Sequence, residues 1–160
     1  MVLGNKEICS TRRMEPSFLG IEPFHVEQVG PASYDLRLGD DFIGPGGRSS
    51  GKSIWIAPQQ FLLASTIEVI TIGCGLCGFV QGRSTWARKG LIVESAGFVD
   101  PGFSGQITLE LYNVGASSLF LEAGSRIAQI VFHEVCGCTL SYGEKPGAKY
   151  MHQRGPTAPR

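Results

Sequence analysis

Apolar and polar residues alternate along several short stretches of the chain, which is typical of strands that bury one face. The clearest stretch covers residues 106–113. Its two faces hold Ile107, Leu109 and Leu111 on one side and Thr108, Glu110 and Tyr112 on the other. Similar patterns predict further strands or extended segments near residues 21–23, 33–38, 53–56, 61–72, 79–81, 91–94, 119–121 and 126–135.

Glycine and proline separate these stretches, since the chain contains 22 Gly and 9 Pro. Residues 44–51 are rich in Gly, Pro and Ser and are therefore predicted to form a loop. Short helices are predicted at 5–13 and within 82–90, where Ser84 or Thr85 would cap the first turn. Many short strands with little helix predict an all-β sandwich or barrel.

The length and the end of the chain suggest how it is organised. A chain of 160 residues is long enough to close one core, so we expect a single domain over residues 1–160. Residues 141–160 contain Gly, Pro and basic residues but little apolar material. We therefore expect them to form a tail that is ordered only against another surface.

The charge balance argues against a nucleic-acid partner. Lys plus Arg and Asp plus Glu both number 14, whereas a polyanion is usually met by a basic excess. No apolar run reaches membrane-spanning length, and residues 1–11 lack the basic start and apolar block of a secretion signal. Five cysteines, an odd number, in a chain with an adequate core indicate free thiols in a reducing cytoplasm.

Residues 82–90 contain the first candidate for chemistry. Arg83, Ser84, Thr85 and Arg88 lie close together beside Gly82, which lets a ligand approach the backbone. Two guanidinium groups, two hydroxyls and the amides of a helix start are suited to binding phosphate. The alternative is a solvated surface turn with a capping serine, and the residues alone favour neither.

Glu110 is the second candidate, because it lies in mid-strand between Leu109 and Leu111. A carboxylate among apolar neighbours can serve as a proton shuttle. The alternative is a solvent-facing residue on an ordinary alternating strand, and the pattern alone favours that alternative. Asp100 precedes a Pro-Gly turn, where aspartate is common for purely local reasons.

Several segments resemble, in the same order, the motifs of the dCTP deaminase/dUTPase family. GRSTWARKGL at 82–91 resembles the family's phosphate motif, AGFVDPGFSG at 96–105 resembles the segment that follows it, and QITLELYN at 106–113 is similar to the strand that bears the catalytic glutamate. IEPF at 21–24, PASYDLRLG at 31–39 and AKYMHQRGPT at 148–157 also fit. The resemblance extends from about residue 3 to residue 160, and the ordered series is far more specific than any single segment.

The resemblance implies a distorted β-barrel of the dUTPase-like, jelly-roll type with one or two short helices. It implies a homotrimer with active sites between subunits, in which residues 141–160 close over the nucleotide. The implied activity is zinc-independent conversion of dCTP to dUTP and ammonia. Ala96-Gly97-Phe98 resembles the bifunctional branch, which also hydrolyses dUTP to dUMP and pyrophosphate.

The resemblance also implies a role for each candidate residue. Glu110 would activate the water, which Ser84, Arg88 and the backbone near Ala96 would help to place. Asp100 would hold the 3′-hydroxyl of the deoxyribose and help to orient the water that attacks phosphorus. The remaining contacts to the nucleotide would come from Arg83, Ser84, Thr85 and Lys149 at the triphosphate and from Tyr142 and Gln153 of the tail. Mg2+ would be held by the triphosphate, with no direct protein ligand.

Other interpretations remain open. A dUTPase without deaminase activity is the nearest, although Glu110 argues against it, and a nucleotide-binding module without turnover is another. His25-Val26-Glu27 and Cys74-Gly75-Leu76-Cys77 echo parts of a zinc deaminase signature, but Gly73 stands where that signature has proline. A separate structural zinc site would be formed by Cys74, Cys77, Cys136 and Cys138.

Overall fold

The computed structural model describes residues 1–14, 18–93, 97–137 and 140–159. Within these ranges the chain forms two α-helices and eleven strands. The helices are α1 (Asn5–Met14) and α2 (Ser84–Ala87). The strands are β1 (Leu19–Glu22), β2 (Tyr34–Gly44), β3 (Gly47–Ser50), β4 (Ser53–Ile56), β5 (Phe61–Ile72), β6 (Leu76–Gly82), β7 (Leu91–Val93), β8 (Phe98–Val99), β9 (Ser104–Asn113), β10 (Leu119–Glu122) and β11 (Arg126–Glu134). None of the described helices is long and apolar enough to cross a membrane.

Nine of the strands form one antiparallel sheet. Seven of them lie in the order β7-β9-β5-β2-β11-β6-β8, while β1 pairs with β5 and β3 pairs with β2. β4 and β10 pair separately as a small second sheet. The large sheet curls around one apolar core as a half-barrel, which confirms the predicted all-β, dUTPase-like distorted barrel with short helices.

β9 is the strand that positions the candidate site. Its side chains alternate between buried and half-buried positions, so Leu109 and Leu111 enter the core while Thr108 and Glu110 face the other way. This is the alternation that the sequence predicts. β9 pairs with β5 on one side and with β7 on the other, so its outward face belongs to the large sheet.

The pairing of β5 with β9 is interrupted by a bulge in residues 65–69. The hydroxyl of Thr66 closes the gap, since it accepts a bond of 3.0 Å from the amide of Ile107. The same hydroxyl donates a bond of 2.7 Å to the carbonyl of Glu68. The bulge therefore turns polar groups of β5 toward the first half of β9.

A fully buried carboxylate, that of Glu68, connects three parts of the fold. It accepts hydrogen bonds from the Nε (2.7 Å) and from the backbone amide (2.9 Å) of Arg37 in β2. The side-chain amide of Gln28, at the end of the short 3-10 helix Val26–Gln28, donates a third bond of 3.0 Å. The buried charge is tolerated because it is paired and both of its oxygens are hydrogen-bonded.

The prediction of a loop at 44–51 is wrong. β2 continues to Gly44 and pairs with β3, so the segment belongs to a hairpin whose turn consists of residues 45–46. Gly47 has a φ of +93°, a left-handed conformation that favours glycine, so the glycine-rich composition specifies the turn. Cross-strand pairing such as that of Phe42 with Ser49 leaves no trace in local composition, which explains the wrong prediction.

Other differences from the predicted strands are smaller. β8 has no predicted counterpart, because it is two residues long and exists only through its pairing with β6. β2 and β6 extend beyond the predicted 33–38 and 79–81. The extra residues of both strands pair with neighbouring strands of the sheet.

Candidate active site

A pocket of about 390 Å³ opens where β9, β5 and β8 meet the last part of the chain. Four residues that are predicted to act on the nucleotide line it together, namely Asp100, Glu110, Tyr142 and Gln153. Most of the remaining wall is aromatic or aliphatic and includes Phe61, Leu63, Phe98, Val99, Phe103, Ile107 and Tyr150. A largely apolar cavity with a few converging polar groups is the usual form of a small-molecule site.

Glu110 reaches the pocket from β9. Its strand neighbours Leu109 and Leu111 point into the core, so the period-two alternation turns the carboxylate to the same face as Thr108. Leu63 of β5 lies directly opposite Glu110 in the ladder and also lines the pocket. The half-buried carboxylate therefore lies beside an apolar wall, where it can exchange protons with a bound ligand.

Asp100 follows β8 and opens the turn that leads to β9. Its carbonyl accepts a bond of 3.2 Å from the amide of Phe103, and Gly102 has a φ of +79° within the turn. The carboxylate lies 3.6 Å from the ammonium group of Lys145, a tail residue that no sequence motif marks. Asp100 thus closes the turn through its backbone carbonyl and contributes its side chain to the pocket.

Tyr142 anchors the tail at the rim of the pocket. Its amide donates a bond of 2.7 Å to the carbonyl of Pro101, and its ring packs edge-on against Phe103 with ring centroids 5.6 Å apart. Its hydroxyl accepts bonds from the amides of Lys149 (3.3 Å) and Tyr150 (3.2 Å). The segment between Tyr142 and Tyr150 is therefore closed into a loop.

The 3-10 helix Tyr142–Glu144 begins at a capping box. The hydroxyl and the amide of Ser141 donate bonds of 2.8 Å and 3.1 Å to the carboxylate of Glu144. These two bonds lower the pKa of Glu144, so the box is held by an ionised carboxylate at neutral pH. The start of the tail, which includes the pocket-lining Tyr142, is thereby ordered by contacts within the tail itself.

The tail then runs along β9 of its own chain. The amide of His152 donates a bond of 2.7 Å to the carbonyl of Ser104. The backbone amide of Gln106 donates a bond of 3.1 Å to the carbonyl of Gln153. In return, the side-chain amide of Gln153 donates a bond of 2.7 Å to the carbonyl of Gln106. The first half of β9 is thus the surface against which the tail is ordered, and Gln153 binds this strand while it lines the pocket.

Four of the predicted phosphate-binding residues lie at α2: Arg83 precedes the helix, Ser84 and Thr85 lie in it, and Arg88 follows it, whereas Lys149 belongs to the tail. The helix begins at Ser84, and the capping position belongs to Arg83, whose backbone is extended and whose side chain makes no capping bond. The prediction that Ser84 or Thr85 caps the helix is therefore wrong, because both residues already lie within its first turn. Ser84, Thr85 and Arg88 are exposed.

Arg83 is held by the strands beneath α2. Its Nε lies 3.2 Å from Oδ1 of Asp35 in β2, and its Nη1 donates a bond of 3.3 Å to the carbonyl of Arg126 in β11. The same carbonyl accepts a bond of 3.0 Å from the indole N–H of Trp86. A register shift directly after Arg126 interrupts the pairing of β11 with β2 at this point. The guanidinium group of Arg126 lies 3.5 Å from the other oxygen of Asp35. Two guanidinium groups share one carboxylate, so net positive charge remains beside the start of the helix.

The structure brings the predicted site residues together only in part. Asp100, Glu110, Tyr142 and Gln153 share the pocket, whereas its described lining includes no residue from 82–90 and does not include Lys149. Ala96 lies outside the described residues. The described lining therefore has two carboxylates and no Lys or Arg. Because a triphosphate is bound by cations, the predicted ligand would need positive charge from outside this lining.

The predicted zinc ligands do not form a cluster in the described part of the chain. No group of three or more His, Cys, Asp or Glu residues there is arranged to hold a metal ion. Cys138 lies outside the described residues. Nδ1 of His25 lies 3.3 Å from Oε1 of Glu27 at the protein surface. Cys77 is buried in β6, and burial raises the pKa of its thiol.

Sequence comparison relates the chain to enzymes of nucleotide metabolism. A family profile described as dCTP deaminase-like matches residues 47–135. A protein of Dictyoglomus thermophilum named "dCTP deaminase, dUMP-forming" is 37% identical over 185 aligned positions, which cover all of this chain and 94% of the relative. A protein of the same name from Persephonella marina is also 37% identical and is covered to 97%.

Two solved structures have similar folds. The 2′-deoxycytidine 5′-triphosphate deaminase from Agrobacterium tumefaciens superposes with a TM-score of 0.67 at 20% identity, over 82% of this chain but only 47% of that one. The dUTPase of Staphylococcus bacteriophage 80alpha with dUpNHpp superposes with a TM-score of 0.56 at 19% identity, over 77% of this chain and 86% of that one. At these identities the two structures support the fold alone. The family profile and the full-length relatives at 37% identity also establish the family. The chain belongs to the dCTP deaminase-like family.

Proposed function

We propose that this chain is a dCTP deaminase that forms dUMP. It converts dCTP to dUTP and ammonia without zinc, and then hydrolyses dUTP to dUMP and pyrophosphate. One observation carries the proposal: Glu110 and Asp100 line one pocket with the tail, in a chain whose full-length relatives are named for this activity. Phe98, from the segment that resembles the bifunctional branch, lines the same pocket.

Deamination adds water to C4 of cytosine and expels the amine. Glu110 takes one proton from the water as its oxygen bonds to C4, and it passes this proton to N3. It then moves the second proton from the new C4 hydroxyl to the amine, so the C4–N bond breaks, a carbonyl forms at C4 and ammonia leaves. Ser84, Arg88 and the backbone near Ala96 hold the water at attack distance. The apolar wall of the pocket excludes bulk solvent, which strengthens these polar contacts.

Hydrolysis of dUTP follows in the same pocket. Asp100 binds the 3′-hydroxyl of the deoxyribose and helps to orient the water that attacks the α-phosphorus. The bond between this phosphorus and the bridging oxygen breaks, so pyrophosphate leaves and dUMP remains. The position of Asp100 in a turn fixed by backbone bonds supports this role, because the carboxylate is presented on a rigid segment.

The triphosphate is held by Arg83, Ser84, Thr85 and Lys149. Arg83 is suited to this role, because Asp35 fixes the orientation of its guanidinium group. Mg2+ enters with the triphosphate, whose oxygens hold it, and it neutralises part of the negative charge. A solved dUTPase of phage phi11, which has a similar fold, is described as coordinating a structural Mg(II) ion.

The proposed enzyme is a homotrimer with active sites between subunits. The pocket of one chain supplies Glu110, Asp100 and the tail, whereas the exposed hydroxyls of α2 and the arginines that flank it, Arg83 and Arg88, lie outside the pocket. In the trimer, α2 of a neighbouring subunit completes each pocket, and the arginines that flank this helix provide the cations that the triphosphate needs. This arrangement accounts for a site whose carboxylates and cations are separated within one chain.

The other proposed attributes follow from composition. The substrates are dCTP and dUTP, and the zero net charge favours neither nucleic acid nor an anionic membrane surface as a partner. The free thiols of Cys9, Cys77 and Cys136 support a cytoplasmic location.

Incubation with dCTP and Mg2+, followed by chromatography of the products, tests the proposal. We expect dUMP, ammonia and pyrophosphate in equal amounts. Accumulation of dUTP without pyrophosphate would leave deamination intact and refute the second step. Pyrophosphate from dUTP without ammonia from dCTP would identify a dUTPase, and binding of dCTP without any product would identify a nucleotide-binding module. A parallel assay with CTP measures selection for deoxyribose.

A further inference from the structure

The last part of the tail lies between β9 and the β2–β3 hairpin. On the side of β9, the amide of Gly155 donates a bond of 2.6 Å to the side-chain oxygen of Gln106. The amide of Thr157 donates a bond of 3.2 Å to the hydroxyl of Thr108. Gln106 and Thr108 lie on the same face of β9 as Glu110, so the tail is bound to the strand that also presents the proposed catalytic carboxylate.

The β2–β3 hairpin holds the tail from the other side. Nη2 of Arg48 in β3 donates a bond of 2.8 Å to the carbonyl of Pro156. Nη1 of the same group lies 3.9 Å from Oδ2 of Asp41 in β2, so the guanidinium group connects the hairpin with the tail. A Cβ atom added to Gly155 would lie 3.3 Å from that Asp41 oxygen and 3.4 Å from Arg48 Nη1, so the tail backbone approaches this pair closely.

These contacts fix the tail between Gln153 and Thr157, two of its residues that line the pocket. Thr157 and Pro159 line the pocket together with Glu110, and both follow the residue whose carbonyl Arg48 holds. An anchor at Pro156 therefore limits how far the next residues can move away from the carboxylate. Arg48 is absent from the described lining of the pocket, so its effect on the site is indirect.

We propose that Arg48 is a positioning residue that latches the tail over the active site, with Asp41 orienting its guanidinium group. The inference rests on the proposed function, in which the closed tail excludes solvent from the reaction. A guanidinium group suits this role, because its N–H donors have fixed directions and can bind a carbonyl and a carboxylate at once. All four residues of β3 are exposed, so replacement of Arg48 leaves the core untouched.

Hydrogen exchange of single amides tests the latch without requiring turnover. The amides of Gly155 and Thr157 are bonded to β9, and Arg48→Ala should speed their exchange about 3- to 10-fold, the effect of losing roughly one hydrogen bond. Arg48→Lys keeps a cation that can donate to the Pro156 carbonyl and should restore part of the protection. Lys52→Ala, the matched control, removes an exposed cation just beyond β3 and should change neither amide.

Steady-state kinetics give the second readout. With dCTP, Arg48→Ala should lower kcat/KM about 3- to 10-fold relative to Lys52→Ala, because part of the binding energy is then used to close the tail. Unchanged exchange at both amides, or an equal rise in the control, would overturn the latch. Faster exchange with unchanged kcat/KM would overturn its role in the reaction. Failure of the parent protein to act on dCTP would refute the proposed function, while the exchange data would still decide the latch.

Discussion

Replacement of Glu68 by alanine tests whether the buried network between β2 and β5 sustains the fold. The carboxylate is 0% exposed and accepts two bonds from Arg37, at 2.7 and 2.9 Å, and one from Gln28 at 3.0 Å. The variant removes the acceptor of all three bonds and leaves the donors in place. Among the described residues, Nη2 of Arg37 is already buried without a hydrogen-bond partner, so the variant adds a second unsatisfied donor, Nε, to the same guanidinium group.

The expected loss follows from the energetics of a broken buried pair. Removal of one partner typically costs about 3–5 kcal/mol, because the remaining charge stays desolvated. The side chain of Arg37 is 20% exposed, so water relieves part of this cost, and we expect Glu68→Ala to lower the free energy of unfolding by about 3 kcal/mol. At this chain length each kcal/mol lowers Tm by about 2–4 °C, so Tm should fall by roughly 6–12 °C.

Unfolding by heat and by urea, followed by circular dichroism, measures this loss. All variants are compared at one protein concentration, since the stability of an oligomer depends on it. Glu122→Ala is the matched control, because Glu122 is exposed at the end of β10, and it should change stability by less than about 0.5 kcal/mol. Glu68→Gln keeps the side-chain shape but places the N–H donors of an amide next to the buried donors of Arg37 and Gln28. Its loss of stability should lie between those of Glu68→Ala and Glu122→Ala. A Tm for Glu68→Ala equal to that of the control would refute the reasoning.

Three further predictions concern the site and the thiols. Glu110→Gln should still bind dCTP in calorimetry but lose at least about 100-fold in ammonia release, because the proton acceptor is gone; a rate near that of the parent would contradict the mechanism. Asp35→Asn should raise KM for dCTP more than it lowers kcat, because Arg83 loses the carboxylate 3.2 Å from its Nε, and an unchanged KM would rule out this support. Iodoacetamide at mildly alkaline pH should modify exposed Cys136 well before Cys77, because burial raises the pKa of the Cys77 thiol and so lowers its thiolate fraction; equal labelling in mass spectrometry would contradict this.

The strands that could be predicted from the sequence are those whose signal is local. Residues 61–72 coincide with β5, and the alternation at 106–113 fixes which side chains of β9 enter the core. Glu110 is accordingly presented on the outward face, as the pattern requires. The family motifs add predicted roles for Asp100, Tyr142 and Gln153, and these three residues line one pocket with Glu110 in the structure.

The features that escape prediction depend on residues far apart in the sequence. The hairpin of β2 and β3 is defined by cross-strand pairs, whereas its composition indicates only a turn. Lys145 beside Asp100 and Arg48 beside Pro156 are contacts between the tail and distant elements, and no motif marks either cation. The N-cap residue of α2 is Arg83, not Ser84 or Thr85, and the side chain of Arg83 pairs with Asp35 of β2 and makes no capping bond.

The outward face of β9 has a consequence for how this enzyme can change during evolution. Gln106, Thr108 and Glu110 occupy every second position, and the first two bind the tail while the third faces the pocket. Deletion of one residue between Gln106 and Glu110 would exchange the two faces, burying the glutamate and exposing a leucine. Deletion of two residues would return the glutamate to the pocket side of the strand, but would move its carboxylate by about 7 Å along the strand. Length variation among descendants should therefore accumulate in the hairpins and spare this segment.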